Sequence, residues 1–248
     1  DLTKPNSVDA LSKLSKNGDS LVFAAALTPD RGRDIHTMMK NLAIGENVTK
    51  FLEQNQCSHV IYISSDAVYH DEITLVREES RCEPSTYYGL MHVVREQMLS
   101  ETLSGLKIPS LILRPTLLYG PEDTHNSYGP NRFFRAAADN NKIILFGQGE
   151  EKRDHVYVED LNRVACNALM SKTTGLLNVA TGKSTSFMEI AERVASLVSP
   201  DVSVEGLPRQ NPITHRHFDT TLLMNTFHNI RFDSISHGLR KTWDAIND

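Results

Sequence analysis

The chain has 248 residues, enough for one large α/β domain or two small ones. Hydrophobic residues make up 40% and charged residues 23%, which excludes an intrinsically disordered chain. The formal net charge is -5 with the histidines neutral, so there is no global attraction for nucleic acid or an anionic membrane. An anionic ligand must therefore be held by local arginines or backbone amides.

Short β-branched runs alternate with helical patterns along the first half. Residues 19–26 form an apolar run after the turn signal Asn17-Gly18 and read as a buried strand. Residues 35–55 carry Ile35, Met38, Met39, Leu42, Val48, Phe51 and Leu52 at helical spacing. A second strand, 60–63, ends in Ser64-Ser65. Residues 86–104 read as a long helix with Val93, Val94, Met98 and Leu99 on one face. A third strand, 110–113, is stopped by Arg114-Pro115 because proline cannot donate to a central ladder. This rhythm is that of a doubly wound parallel sheet, in which ligands sit beyond the carboxyl ends of the strands. Thr28, Ser64, Ser65 and the residues from Arg114 onward stand at those ends.

The second half is more broken. Tyr119-Gly-Pro121 and Tyr128-Gly-Pro130 mark loops, residues 133–138 read as helix, and 143–146 as a strand before the turn Gly147-Gln-Gly149. Residues 155–158 form another strand, Glu159-Asp160 open a helix to about residue 170, and 176–179 form a strand. Ser186 with Glu189 three residues on is a capping-box pattern for a helix to Val198. Asp66, Glu159 and Asp160 read as surface or cap residues, and Trp243 as packing for a C-terminal helix.

Other features restrict the chemistry. Cys57, Cys82 and Cys166 are odd in number with no C-x-x-C spacing, so they read as reduced thiols used as small apolar residues. No apolar run approaches the ~20 residues that span a bilayer, and no signal peptide is visible, which points to the cytoplasm. His215-Arg-His217 lacks a carboxylate pattern and is not read as a metal site.

Two short segments carry chemistry. Ile63-Ser-Ser-Asp-Ala-Val-Tyr69 places hydroxyls at the mouth of the sheet; alone it is equally an ordinary strand-ending turn. Tyr87-Tyr-Gly-Leu-Met-His92 opens a helix, with Tyr88 and His92 at i and i+4 on one face. A tyrosine can move a proton on a substrate hydroxyl if a neighbouring cation lowers its pKa from ~10. The alternative is a helix-opening tyrosine with its ring on the core.

Together these segments resemble the catalytic region of extended short-chain dehydrogenase/reductases of the nucleotide-sugar epimerase and dehydratase kind, whose usual forms are S-S-x-x-V-Y-G and Y-x-x-x-K. Tyr88 follows Ser65 by 23 residues. Further matches follow in order: Leu113-Arg-Pro-Thr-Leu-Leu-Tyr-Gly-Pro121 to L-R-P-x-N-V-Y-G-P, residues 146–161 to G-x-G-x-x-x-R-D-F-V-Y-V-x-D, Leu177-Asn-Val-Ala-Thr-Gly182 to Y-N-x-G-T-G, and Arg216 with Asp219 to a late R-x-x-D.

The resemblance implies a Rossmann-like doubly wound parallel sheet with a smaller α/β substrate-binding lobe. The first would comprise residues 1–116 plus about 150–180, the second 117–149 and 181–248. It implies NAD or NADP as cofactor, a nucleotide sugar as substrate, no nucleic-acid or membrane partner, and a homodimer through paired long helices. Tyr88 matches the acid/base and Ser65 the hydroxyl that bonds the reacting oxygen. Asp1, Leu2, Ala25, Ala26, Thr28, Asn41, Ser64 and Pro115 match positions along the dinucleotide. Asn131, Arg153 and Arg216 match the sugar-nucleotide pocket, where arginine suits a diphosphate because its planar fork pairs bidentately with phosphate oxygens.

Three departures stand out. The family's first ~60 residues, with G-x-x-G-x-x-G, have no counterpart, so a fragment of a longer protein is expected. Leu117 replaces an asparagine. His92 stands where the family has lysine, which predicts a less activated Tyr88 or a reaction sensitive to pH near neutrality. A degenerate family member that binds without turnover, or a scaffold subunit, are the rival expectations.

Overall fold

The computed structural model describes residues 1–124, 126, 129–210 and 212–247. In chain order the strands are β1 Ser20–Phe23, β2 His59–Ile63, β3 Leu75–Val76, β4 Ser110–Pro115, β5 Leu117–Tyr119, β6 Lys142–Phe146, β7 Lys152–Tyr157, β8 Gly175–Val179, β9 Ser184–Ser186, β10 Ser203–Leu207 and β11 His217–Phe218. The helices are α1 Ser7–Leu14, α2 Ile35–Gln54, α3 Tyr87–Leu106, α4 Pro130–Asn140, α5 Val158–Ser171, α6 Phe187–Val198, α7 Thr221–Thr226 and α8 Ile235–Asn247. Tyr128 lies outside the described residues.

The chain divides into two compact units. Unit 1 comprises residues 1–71, 78–115 and 164–178, and unit 2 residues 72–77, 116–163 and 179–248. Residues 150–163, grouped with the dinucleotide-binding part in the sequence reading, pack in unit 2 because β7 pairs with β5 and β9 there.

Unit 1 is built on a sheet of order β1-β2-β4-β8, with β1 parallel to β2 and β2 parallel to β4. Val60 and Ile61 are both fully buried. Consecutive strand residues point to opposite faces, so both faces are covered, as a continuous apolar strand requires. On one face Phe23, Val60 and Tyr62 pack with Val8, Val48, Phe51, Leu99 and Leu103 from α1, α2 and α3. Asp34 caps α2 by accepting from the Thr37 amide at 2.8 Å, and Thr86 caps α3 by accepting from the Gly89 amide at 3.1 Å.

The face that α3 buries differs from the apolar stripe read in its sequence. Met91, His92, Arg95, Glu96, Leu99 and Leu103 are buried, whereas Leu90 is exposed and Val93, Val94 and Met98 are half-buried. The inward polar residues find partners from other elements, which outweighs their cost of burial.

Unit 2 contains three small sheets, β5-β7-β9, β6-β10 and β3-β11. Its core includes Phe133, Phe134, Ile143, Ile190, Val194 and Leu239. Trp243 of α8 stacks on Phe134 at 5.5 Å, the packing role read from sequence. Ser186 and Glu189 form a capping box at α6.

Several surface readings are corrected. Asp160 is 1% exposed and accepts from the Asp233 amide and Arg163, which stabilises its buried carboxylate. Asp66 is also buried, in the 3-10 turn Asp66–Val68. Of the cysteines only Cys57 is buried; Cys82 and Cys166 are exposed. Among the described residues no helix is long and apolar enough to cross a membrane.

Candidate active site

Strand β2 delivers Ser64 and Ser65 beyond its carboxyl end. Ser65 is extended, and its Oγ accepts from the Ala67 amide at 3.1 Å, capping the turn Asp66–Val68. As acceptor there, its hydroxyl keeps a proton to donate. Ser64 is buried and donates to Glu96 Oε1 at 2.5 Å. Glu96 is in turn gripped by Arg114, from Nε at 2.9 Å and Nη2 at 2.5 Å. Arg114 Nη1 donates to the Tyr69 oxygen at 2.9 Å, and Tyr69 donates to Asn178 Oδ1 at 2.7 Å. In this network the charges of Arg114 and Glu96 balance, while Asn178 Nδ2 is buried without a hydrogen-bond partner.

The start of α3 is pressed onto the same turn. A Cβ on Gly89 would lie 2.1 Å from the Ala67 carbonyl oxygen and 2.5 Å from Pro84 Cβ. Only glycine allows that approach. Gly89 follows Tyr88, and Ala67 is two residues past Ser65, so the contact holds the start of α3 against the turn that Ser65 caps.

Tyr88 is half-buried, and its ring meets that of His92 edge to face with centroids 4.7 Å apart. His92 is 1% exposed; its Nδ1 lies 2.7 Å from the Tyr62 hydroxyl, and its Nε2 is buried without a hydrogen-bond partner. Burial, and then the charge of Arg95, push the imidazole down to about 3. Position 92 is therefore neutral at physiological pH, and the sensitivity near neutrality expected from this histidine is not supported by its surroundings. Arg95 is fully buried on the same helix face. It donates from Nε to Asn41 O at 2.9 Å, from Nη1 to Ala25 O at 2.9 Å, and from Nη2 to Asn41 O and Oδ1. Its guanidinium lies 5.0 Å from the Phe23 ring centroid.

The other residues matched to the dinucleotide line the loop after β1 and nearby elements. Asn41 exchanges hydrogen bonds with Leu27, donating to its carbonyl at 2.9 Å and accepting from its amide at 2.8 Å. Its amide thus shapes the Ala25–Thr28 loop. A small pocket is lined by Leu27, Thr37, Met38, Asn41, Tyr87 and Tyr88. Ala25, Ala26 and Thr28 are half-buried, and Thr28 donates to Asp30 at 2.5 Å. Pro115 is buried as the last residue of β4. Asp1 is exposed and accepts from the Thr3 amide at 2.9 Å, while the Leu2 carbonyl accepts from Asn47 at 2.9 Å.

Asn131, Arg153 and Arg216 belong to unit 2. Asn131 is buried and engages both the amide and the carbonyl of Gly120. Arg153 donates to Thr214 Oγ1 at 3.0 Å and to the Thr214 carbonyl. The Arg216 amide donates to the Lys152 carbonyl at 3.0 Å, so the two arginines ride on adjacent backbone. Asp154, beside Arg153, is buried and accepts from the Thr181 amide and hydroxyl and the Lys183 amide. Burial pushes its carboxyl up to about 6 against these hydrogen bonds.

Residues 1–180 match the family model described as NAD dependent epimerase/dehydratase family. The chain belongs to that family. The ADP-L-glycero-D-manno-heptose-6-epimerase of Alkalilimnicola ehrlichii is 26% identical over 203 residues, 76% of this chain and 63% of that protein. The chain thus spans less than two thirds of the length of this curated relative. Among solved structures, the UDP-N-acetylglucosamine 4-epimerase from Methanobrevibacter ruminantium, in complex with UDP-N-acetylmuramic acid, superposes with a TM-score of 0.86 at 23% identity, covering 96% of this chain and 79% of that one. The Thermus thermophilus UDP-glucose 4-epimerase complexed with NAD gives a TM-score of 0.86 at 21% identity, covering 100% and 83%. These likenesses establish the Rossmann-like α/β fold.

In this member of the epimerase/dehydratase family, sequence reasoning singled out Ser65, Tyr88 and His92 but passed over Tyr62, Arg95 and Glu96. A signal was present: residues 88, 92, 95, 96 and 99 fall on one helix face, and four of them are ionisable.

Proposed function

We propose that the intact protein is an NAD(P)-dependent oxidoreductase of the epimerase/dehydratase type acting on a nucleotide-activated sugar. The observation that carries this reading is the Gly89–Ala67 approach, which sets Tyr88 beside the turn that Ser65 opens. Tyr88 moves the proton on the sugar hydroxyl, and Ser65, with its proton free to donate, positions the same oxygen. When bound, the nicotinamide supplies hydride exchange at the sugar carbon. The chain's residues fit such a cofactor: the orphaned, buried His92 Nε2 calls for a hydroxyl-bearing ligand, and Asn41 fixes the Ala25–Thr28 loop through Leu27. Ala26, Thr28, Ser64 and Pro115 would flank it, and Asp1 with Leu2 would meet its adenine end. Arg153 and Arg216 grip the diphosphate of the sugar nucleotide, with Asn131 shaping their lobe.

The protein is proposed to act in the cytoplasm as a homodimer formed through α2 and α3. The exposed apolar residues Ile35 and Met39 of α2 and Leu90 of α3 support that pairing. A second reading, binding without turnover, is favoured by the neutral His92 in place of a cation.

A panel of UDP-, GDP- and dTDP-sugars assayed with NAD and NADP tests the reading. Turnover of one sugar nucleotide is expected, and Tyr88→Phe should lower it roughly 10²–10⁴-fold while sparing binding. Binding that Tyr88→Phe leaves intact, with no turnover of any sugar in the unaltered protein, would select the second reading.

A further inference from the structure

We infer that Tyr62 and Arg95 are positioning residues that hold His92 as its neutral Nε2–H tautomer, so that a fixed N–H donor stands beside the Tyr88 ring. The inference rests on the assignment of Tyr88 as acid/base. It begins with the Tyr62 hydroxyl, which is buried at the end of β2 and must place its proton on an acceptor. His92 Nδ1 lies 2.7 Å away. The other polar neighbour, Arg95, has donors only and cannot take that proton. Glu96 also faces this region, but both of its oxygens are engaged by Arg114 and one also by Ser64. Tyr62 therefore donates to Nδ1, which leaves the imidazole proton on Nε2.

Burial first, and Arg95 second, keep the imidazole uncharged. The acceptors of Arg95 are the Asn41 carbonyl and side-chain oxygens and the Ala25 carbonyl, all neutral, and it joins no ion pair among the described residues. The guanidinium charge thus stays unneutralised close to the imidazole and opposes a second positive charge there. The same charge interacts favourably with an anionic Tyr88. The groups that face His92 are Tyr62, Tyr88, Arg95 and Glu96, and none of them offers Nε2 an acceptor. A buried N–H without an acceptor is unusual, and a hydroxyl of a bound ligand completes it. The lysine of the family pattern is thereby replaced by two devices: a neutral donor at position 92, and a cation three residues further along the helix.

The test is 15N NMR of the histidine-labelled protein between about pH 5 and 8. The expected result for His92 is protonated Nε2 and bare Nδ1, unchanged across the range. Tyr62→Phe keeps the ring and deletes the relay, and should give a mixture of tautomers. A His92 protonated at Nδ1, or one that titrates near its ordinary value, overturns the inference, and the unaltered protein alone decides this should Tyr62→Phe not fold. Titration with NAD and NADP is run in parallel. The predicted tautomer without dinucleotide binding keeps the inference and removes the functional reading; binding with the wrong tautomer does the reverse.

Discussion

Unit 1 holds two buried arginines, and they are treated differently. Arg114 meets a carboxylate, Glu96, through two hydrogen bonds, and its network runs on through Tyr69 to Asn178. Arg95 meets carbonyl oxygens and an aromatic face. The first arrangement returns its charge to zero and ties β2, α3, β4 and β8 together. The second leaves a positive charge beside Tyr62, His92 and Tyr88. A neutral network serves the fold; under the proposed function the unneutralised cation serves Tyr88, because a fixed cation in a low-dielectric site favours a tyrosinate.

The sharpest way to break this contrast is Glu96→Gln. It strands Arg114 as an unpaired buried charge and should cost about 3–5 kcal/mol of stability, read from urea unfolding. Acid comes next. His92 and His155 are buried with values pushed down to about 3 and about 4, below the ordinary 6.5. Both therefore favour the fold fully above about pH 6.5, and that contribution is lost as pH falls toward their folded values. At pH 5 each should have lost roughly 2 kcal/mol, and His92→Gln should remove its share of the slope. Gly89→Ala introduces a methyl against the Ala67 carbonyl and should cost about 1–3 kcal/mol. Its loss of turnover should exceed its loss of stability, since the displaced residue neighbours Tyr88. Arg95→Met should be the mildest for the fold, about 1–2 kcal/mol, as only neutral acceptors lose partners. It should nevertheless lower turnover more than Gly89→Ala does per unit of stability lost, since the cation that interacts with Tyr88 is gone.

The sheet of unit 1 was legible because its strands are continuous apolar runs separated by capped helices, and β2, β4, α2 and α3 fall within a few residues of their expected bounds. Motif order singled out Ser65 and Tyr88, and the Gly89–Ala67 approach joins the segments that carry them. Strands β3, β5, β9, β10 and β11 were not legible: they have two to five residues and owe their form to partners remote in sequence. The inward face of α3 misled for a related reason. Val93 and Val94 look like core, yet His92, Arg95 and Glu96 are buried instead, because Tyr62, Asn41 and Arg114 supply partners that no local pattern reveals. The same holds for Ser64, Asn41 and Asn131, whose side chains are engaged by Glu96, Leu27 and Gly120.

The most direct measurement is calorimetric titration of the full-length protein with NAD, NADP and the panel of sugar nucleotides, repeated with Tyr88→Phe. The account predicts that a dinucleotide and one sugar nucleotide bind, and that Tyr88→Phe binds both while turnover of the sugar falls roughly 10²–10⁴-fold. If no dinucleotide binds, the redox mechanism is wrong, and the likeness to the epimerase family extends to architecture alone.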